Sequence, residues 1–298
     1  MVMMSIFAVL AGLLGAPPVL PQEKTVPQFF WSGTSGGFAI CWTSADIQAR
    51  PEKNPTQLAF SVTRLARRGF QAFISPPNLY DTIKNINYER KFALLSVAGS
   101  IVSLKDELYY EIIPSAHPGG ETRFTAIDLT KRGEAVYVSP PEADLFELDL
   151  ARLGKVAKLT DYFPEPEVFK ALLNHHIIQK ALAGESPPSL TELLALLNSK
   201  HIDNIPYLIP RDLLTRFAFH HLQGNKVAVR LGLPSASGAA RYLHAELELM
   251  LPIPPALKKP LTLAASGKEG FLMADRQKIA GDALTRLTFS FEPQSKVK

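Results

Sequence analysis

Cysteine is almost missing from this chain. The single thiol, Cys41, among 298 residues excludes an intramolecular disulfide and any zinc cluster built on cysteines. Its setting in the apolar run from Phe38 to Trp42 reads as a small buried hydrophobe. Charge is missing from one stretch: Met1 to Leu20 has no charged side chain. No basic run is interleaved with aromatics, so nucleic acid is not an expected partner. Long apolar runs are lacking too. Ser5 to Gly15 (SIFAVLAGLLG) is too short for a spanning helix and is soon broken by Pro17-Pro18. No spaced pair of carboxylates singles itself out as a general acid and base.

What is present fits a globular chain: 46% hydrophobic and 20% charged residues, far from the disordered regime. The length suffices for one large domain or two modest ones. The net charge of +4 is a mild basicity that favours anionic surfaces such as cell-wall polymers or phospholipid headgroups. The prolines fall in short pairs (Pro76-Pro77, Pro140-Pro141, Pro187-Pro188, Pro254-Pro255) and so punctuate elements. Ser5 to Gly15 resembles the apolar stretch of a secretory signal, although no Lys or Arg precedes it. Residues 1–25 are therefore expected to be an export or anchor segment plus linker, and the protein to be extracytoplasmic, whether periplasmic, secreted or membrane-anchored. Residues 26–298 are expected to form the folded module, with a division into 26–165 and 166–298 as the alternative.

Hydrophobic periodicity predicts strands with two helices between them. Gln28–Trp31 and Phe38–Trp42 flank a glycine-rich turn, and Leu58, Phe60 and Val62 alternate as a half-buried strand. Lys91–Ile113 is long and β-rich, interrupted at Gly99 and around Lys105-Asp106, and Phe124–Leu129 answers it across Ser115-Ala116-His117-Pro118-Gly119-Gly120. Pro166 opens a helix whose apolar positions, Val168 to Leu182, recur at helical spacing until Gly184. Ser189 and Glu192 form a capping box for a second helix. Thr215–Leu222, Lys226–Leu233, Leu243–Leu251 and Ala283–Phe291 read as strands. The expected fold is α+β, with mostly antiparallel sheets and two central helices packed on them.

Catalytic patterns fare poorly. Gly33-Thr34-Ser35-Gly36-Gly37 matches G-x-S-x-G but runs into a strand, so a hairpin turn is expected and not a nucleophile elbow. Gly267-Lys268 lacks the hydroxyl residue and upstream glycine of a phosphate loop. His175 and His176 should diverge by about 100° on a helix, and His220 and His221 should point to opposite faces of a strand. Neither pair is then expected to chelate an ion. No metal, no cofactor and no catalytic set is expected. Asp106, Asp128 and Asp161 sit at apparent strand ends, where turn or capping roles suffice.

The segments LLSVAGSIVSLKDELYYEIIPSAHPGGETRFTAIDL and KLTDYFPEPEVFKALLNHHI resemble a family of bacterial extracytoplasmic modules. These occur as the lysozyme-sensing region of an anti-sigma factor and beside the catalytic domain of some peptidoglycan deacetylases. The matching positions are Leu95-Ser96, Tyr109-Tyr110, Ala116-His117-Pro118, Ile127-Asp128-Leu129 and Leu159-Thr160-Asp161-Tyr162-Phe163; Lys226–Leu233 and Leu243–Leu257 resemble its closing half. Ser115 replaces a usual glycine, Gly133–Gly154 is an insertion, and the T-x-D-D and H-x-x-x-H metal motifs of the deacetylase domains are absent. The resemblance implies an exported binding or sensing module for an envelope protein or cell-wall ligand, with no catalysis of its own. Membrane contact is expected only through a retained N-terminal segment. His117, Tyr109, Tyr110, Gly119, Gly120 and Arg123 are the expected recognition surface. The alternatives are a cell-wall glycan or peptide hydrolase using His117 with a nearby carboxylate, and a purely structural envelope subunit.

Overall fold

The computed structural model describes residues 26–74, 85–113, 118–132, 155–199, 209–210, 212–234 and 244–291. The segment 1–25 expected to direct export, Ser115-Ala116-His117 and the whole Gly133–Gly154 insertion lie outside the described residues. The fold is α+β with three antiparallel sheets. Strands β1 (Phe29–Ser35), β2 (Phe38–Thr43), β3 (Ile47–Pro51) and β4 (Phe60–Ser61) make the first sheet in sequence order. Strands β5 (Asn85–Ala98), β6 (Ile101–Ile113) and β7 (Gly119–Asp128) build the central sheet. Strands β8 (Phe217–Gln223), β9 (Lys226–Pro234) and β10 (His244–Pro252) form the third, and β11 (Thr285–Phe291) returns to the free edge of β5. This last pairing crosses the 165/166 division, so the central sheet draws on both sides of it.

Alternation in β5–β7 sorts side chains to two cores. Phe92, Leu94, Val102, Leu104 and Ile127 pack with Trp42 and Ile47 of the first sheet. Ala98, Ile101 and Ala126 join Phe217, Phe219 and Val229 of the third. Each large apolar side chain buried in these layers contributes roughly 1.5–3 kcal/mol of transfer free energy. The turn between β1 and β2 is made by Gly36 and Gly37, with φ of +57° and +82°. It is a hairpin turn, as the following strand implied. Gly36 also presses on the β5–β6 turn: a Cβ there would lie 2.5 Å from the Gly99 carbonyl carbon, so only a glycine lets the two turns meet.

Helix α1 (Val62–Ile74) stands where the alternation of Leu58, Phe60 and Val62 read as strand. Only Phe60 and Ser61 pair as β. Beyond them Val62, Leu65, Ala66, Gly69, Phe70 and Phe73 bury a helical stripe. Two side chains cap it: Ser61 Oγ accepts from the Arg64 amide (3.2 Å) and Asp46 Oδ1 from the Thr63 amide (3.0 Å). The first central helix is split into α2 (Glu165–Leu173) and α3 (His176–Leu182). His175 is the N-cap of α3, its Nδ1 accepting from the Ile177 amide at 3.2 Å. Because the helix breaks there, His175 and His176 do not diverge: their rings stack, centroids 4.6 Å apart. Ser189 caps α4 (Leu190–Ser199) through the Glu192 amide as expected. Two further helices, α5 (Pro255–Ala265) and α6 (Arg276–Ala280), follow β10.

Candidate functional site

Tyr109 and Tyr110 lie on β6 and, as neighbours on a strand, face opposite ways. Tyr110 packs on Phe73 of α1, centroids 5.2 Å apart, and stands across from Gly119. Tyr109 stands across from Gly120 and Glu89. Gly119 and Gly120 are strand residues, because β7 begins five positions before Phe124, where the sequence placed it. A Cβ on Gly119 would meet the Tyr110 ring at 1.7 Å; the glycine exists to let that ring cross the strand. Arg123 is 9% exposed. His117 lies outside the described residues. The described members of the expected surface therefore do not converge on one face.

Arg123 belongs instead to a buried charge cluster. Its guanidinium donates to both oxygens of Glu121 at 3.0–3.2 Å, Arg216 Nη1 donates to Glu121 at 3.2 Å, and Arg216 Nε donates to Asp212 at 2.8 Å. Burial disfavours the ionised forms of Glu121 and Asp212. The charges of Arg123 and Arg216 outweigh it and hold both carboxyls below their usual range. The cluster ties the edge strand β7 to the segment entering β8. Beside it, Asp106 is no strand-end residue: it sits mid-strand across from Arg123, buried and ion-paired with Arg90.

The turn after β7 is pinned by a second polar set. Asp128 Oδ1 accepts from the Thr130 amide (3.0 Å) and hydroxyl (2.7 Å), and Tyr162 Oη donates to Oδ2 at 2.7 Å. Burial opposes the Asp128 charge, but these bonds lower its pKa. Burial and the Asp128 contact push the Tyr162 phenol up. Asp161 accepts from the Lys158 amide (2.8 Å) and from Lys131 Nζ (2.7 Å). Turn and capping roles thus hold for Asp128 and Asp161.

This turn forms one wall of a cavity of about 510 Å³. Helix α1 supplies Arg64 and Arg68, one helical turn apart and hence on one face. The turn supplies Lys131 and Arg132, and Lys155 arrives from the opposite side of the insertion. Phe38, Leu58, Phe60, Leu65 and Leu129 provide apolar lining. Five cationic side chains and no carboxylate line the cavity among the described residues. Lys155 Nζ donates only to main-chain oxygens, of Leu129 (3.3 Å) and Lys131 (3.0 Å). Burial pulls its ammonium below the ordinary lysine range, although Asp128 opposes the shift. Ser61 also lines the cavity, but its hydroxyl is spent on Asp46 (2.7 Å) and on the helix cap. Cys41 is half-buried, and burial with the nearby Asp46 charge pushes its thiol up, away from reactivity.

Sequence reading did not find this cavity, since its cations are scattered from residue 64 to residue 155 and only the fold gathers them. The i, i+4 spacing of Arg64 and Arg68 was the one local signal. A further correction concerns His220 and His221. Strict alternation sends them to opposite faces, yet a β-bulge after Phe219 places their Nδ1 atoms 2.7 Å apart. No protein-family model, curated protein or solved structure matches the chain. The resemblance to the lysozyme-sensing modules rests on its short motifs.

Proposed function

We propose that the protein is an exported binding module, without catalysis of its own, that recognises an anionic segment of a cell-envelope ligand in the groove walled by α1 and the Leu129–Arg132 turn. The observation carrying this reading is the charge of that groove: five cations over an apolar floor with no lining carboxylate among the described residues. At an effective dielectric near 20, a unit charge about 4 Å from one of these cations interacts by roughly 4 kcal/mol before desolvation is counted. A multivalent anion spanning several cations keeps a useful part of that. An apolar floor under a cationic rim suits a ligand with both characters, such as an acylated or glycan-linked anion.

Support for binding over hydrolysis comes from the carboxylates flanking the expected recognition loop. Asp106 and Glu121 are held by guanidinium groups, Glu107 by Lys105 at 2.7 Å, and Glu111 accepts from Asn87 at 3.3 Å. Each of these carboxylates thus already has a hydrogen-bond or ion-pair partner. The charge-free stretch from Met1 to Leu20 and the resemblance supply the extracytoplasmic setting. No described helix is long and apolar enough to cross a membrane.

The test is co-sedimentation of the full chain with purified anionic cell-wall polymer at 50 and 500 mM salt, with lysozyme as the comparison ligand implied by the resemblance. The expected result is retention at low salt that fades at high salt and is lost in R64A/R68A. Equal retention of wild type and R64A/R68A, or binding to lysozyme that the double variant does not alter, would overturn the groove as the site.

A further inference from the structure

The third sheet carries a second cluster of chemistry, remote in sequence from the basic groove. Strand β8 holds one residue more than β9 opposes: Phe219 stands across from Val229 and His221 from Ala228, which leaves His220 inserted between them. Such a bulge cancels the alternation of successive side chains. Both imidazoles turn to one side, their planes 82° apart and their Nδ1 atoms at 2.7 Å, sharing a proton in a hydrogen bond whose direction depends on tautomer. From β10, on the far side of β9, Glu248 brings Oε2 to 3.7 Å from His220 Nδ1. One ligand atom from each of the three residues lies within 4.8 Å of the others. The Glu248 side chain is 39% exposed and both histidines are half-buried, so an ion from solvent can reach them.

We propose that His220, His221 and Glu248 form a site for one divalent transition-metal ion of the zinc class, with solvent completing the coordination. Two imidazole nitrogens and one carboxylate oxygen select zinc, nickel or copper over calcium or magnesium, which take all-oxygen sets. In tetrahedral zinc, with Zn–N bonds of about 2.0–2.1 Å, two ligand nitrogens stand roughly 3.3 Å apart, so the rings need part by only about 0.6 Å. The ion takes the place of the shared proton, and the imidazole that held it at Nδ1 carries its proton at Nε2 instead, exchanged through solvent, so both ligands stay neutral. Three protein ligands with an open position is also the arrangement of a zinc ion that keeps a water.

Arg230 is the opposing element. Its Nε donates to Glu248 Oε2 at 3.1 Å and its Nη1 to Glu246 at 2.6 Å. The guanidinium charge resists a second cation, while the Glu246 carboxylate offsets it.

Isothermal titration of the chelator-treated full chain with zinc chloride tests the site. One equivalent per chain is expected, with affinity reduced about tenfold or more in H220A/H221A and in E248Q, and unchanged in H175A/H176A. The exposed Glu248 makes E248Q the variant that keeps its fold, and circular dichroism checks each protein. Failure of the wild type to bind stoichiometric zinc would overturn the proposal. So would wild-type affinity in H220A/H221A or in E248Q, or loss of binding in H175A/H176A instead.

Discussion

Replacing Gly119 with alanine probes the contact that decides how β7 lies on β6. The new Cβ would stand 1.7 Å from Tyr110 Cζ and 1.8 Å from its hydroxyl oxygen, well inside any tolerable contact. The tyrosine must move, and it has little room, because its ring already rests on Phe73. Overpacking of this kind costs typically about 1–3 kcal/mol. Removing the ring should reverse the sign. In a Y110A background the same change no longer meets the ring, and narrowing the unfolded ensemble should then stabilise by about 0.4–1 kcal/mol. The two backgrounds should differ by a coupling energy on the order of 2 kcal/mol. Urea unfolding followed by tryptophan fluorescence is the assay, since Trp42 is fully buried in the core and reports its exposure. If G119A costs the same with and without Tyr110, the glycine is not there for the ring, and a ligand-facing role for it regains ground.

The Glu121 cluster predicts a pH effect with a definite sign. Glu121 and Asp212 titrate below their usual range in the folded protein, so their contribution is present above about pH 4 and is lost as pH falls through the lower folded values. E121Q should therefore be less stable than wild type near pH 7 and converge with it in acid; a stability gap that widens below pH 4 would refute the sign. Tyr162→Phe removes the donor to Asp128 and should cost about 1.5–3 kcal/mol, the range for a bond to a charged group, measured by thermal unfolding. A change under a few tenths of a kcal/mol would show that water replaces the phenol. R64A should leave stability nearly unchanged while weakening polymer retention, because Arg64 is exposed and exposed charges contribute little to folding; equal retention by R64A and wild type would count against the groove.

Strands that ended in glycine turns were legible in the sequence. The Gly36-Gly37 and Gly99 turns, the β8–β9 hairpin and the alternating strand β10 appear in the fold within a residue or two of where the sequence placed them. Helix α1 was not legible, because its first residue, Val62, also completes an alternating run with Leu58 and Phe60, and its second cap comes from Asp46, seventeen residues away. Helix α5 escaped because Pro255 and Pro260 read as breakers, although a proline at the first turn costs no hydrogen bond. The histidine pair shows the deeper limit: a bulge is set by how two strands pair, and nothing in Phe219-His220-His221 alone announces the extra residue. Arg123 looked like a surface anchor because a single charge is usually exposed; Glu121 is its neighbour on β7, but Arg216 and Asp212 join them only once the segment entering β8 packs against β7.

The return of β11 to β5 has a consequence for the order in which the chain can complete itself. Trp42 donates to the Thr285 hydroxyl, 243 positions later, at 3.2 Å, and that hydroxyl donates to the Thr43 carbonyl at 2.6 Å. The β5 edge thus waits for its partner until β11 has been synthesised. Until then β5, paired with β6 on one side, leaves its other edge open along Tyr88 to Phe92, a template for pairing with other chains, and so distant a closure is slow to form. A protein shortened ahead of Thr285 does not merely lose β11; it keeps an adhesive edge along β5.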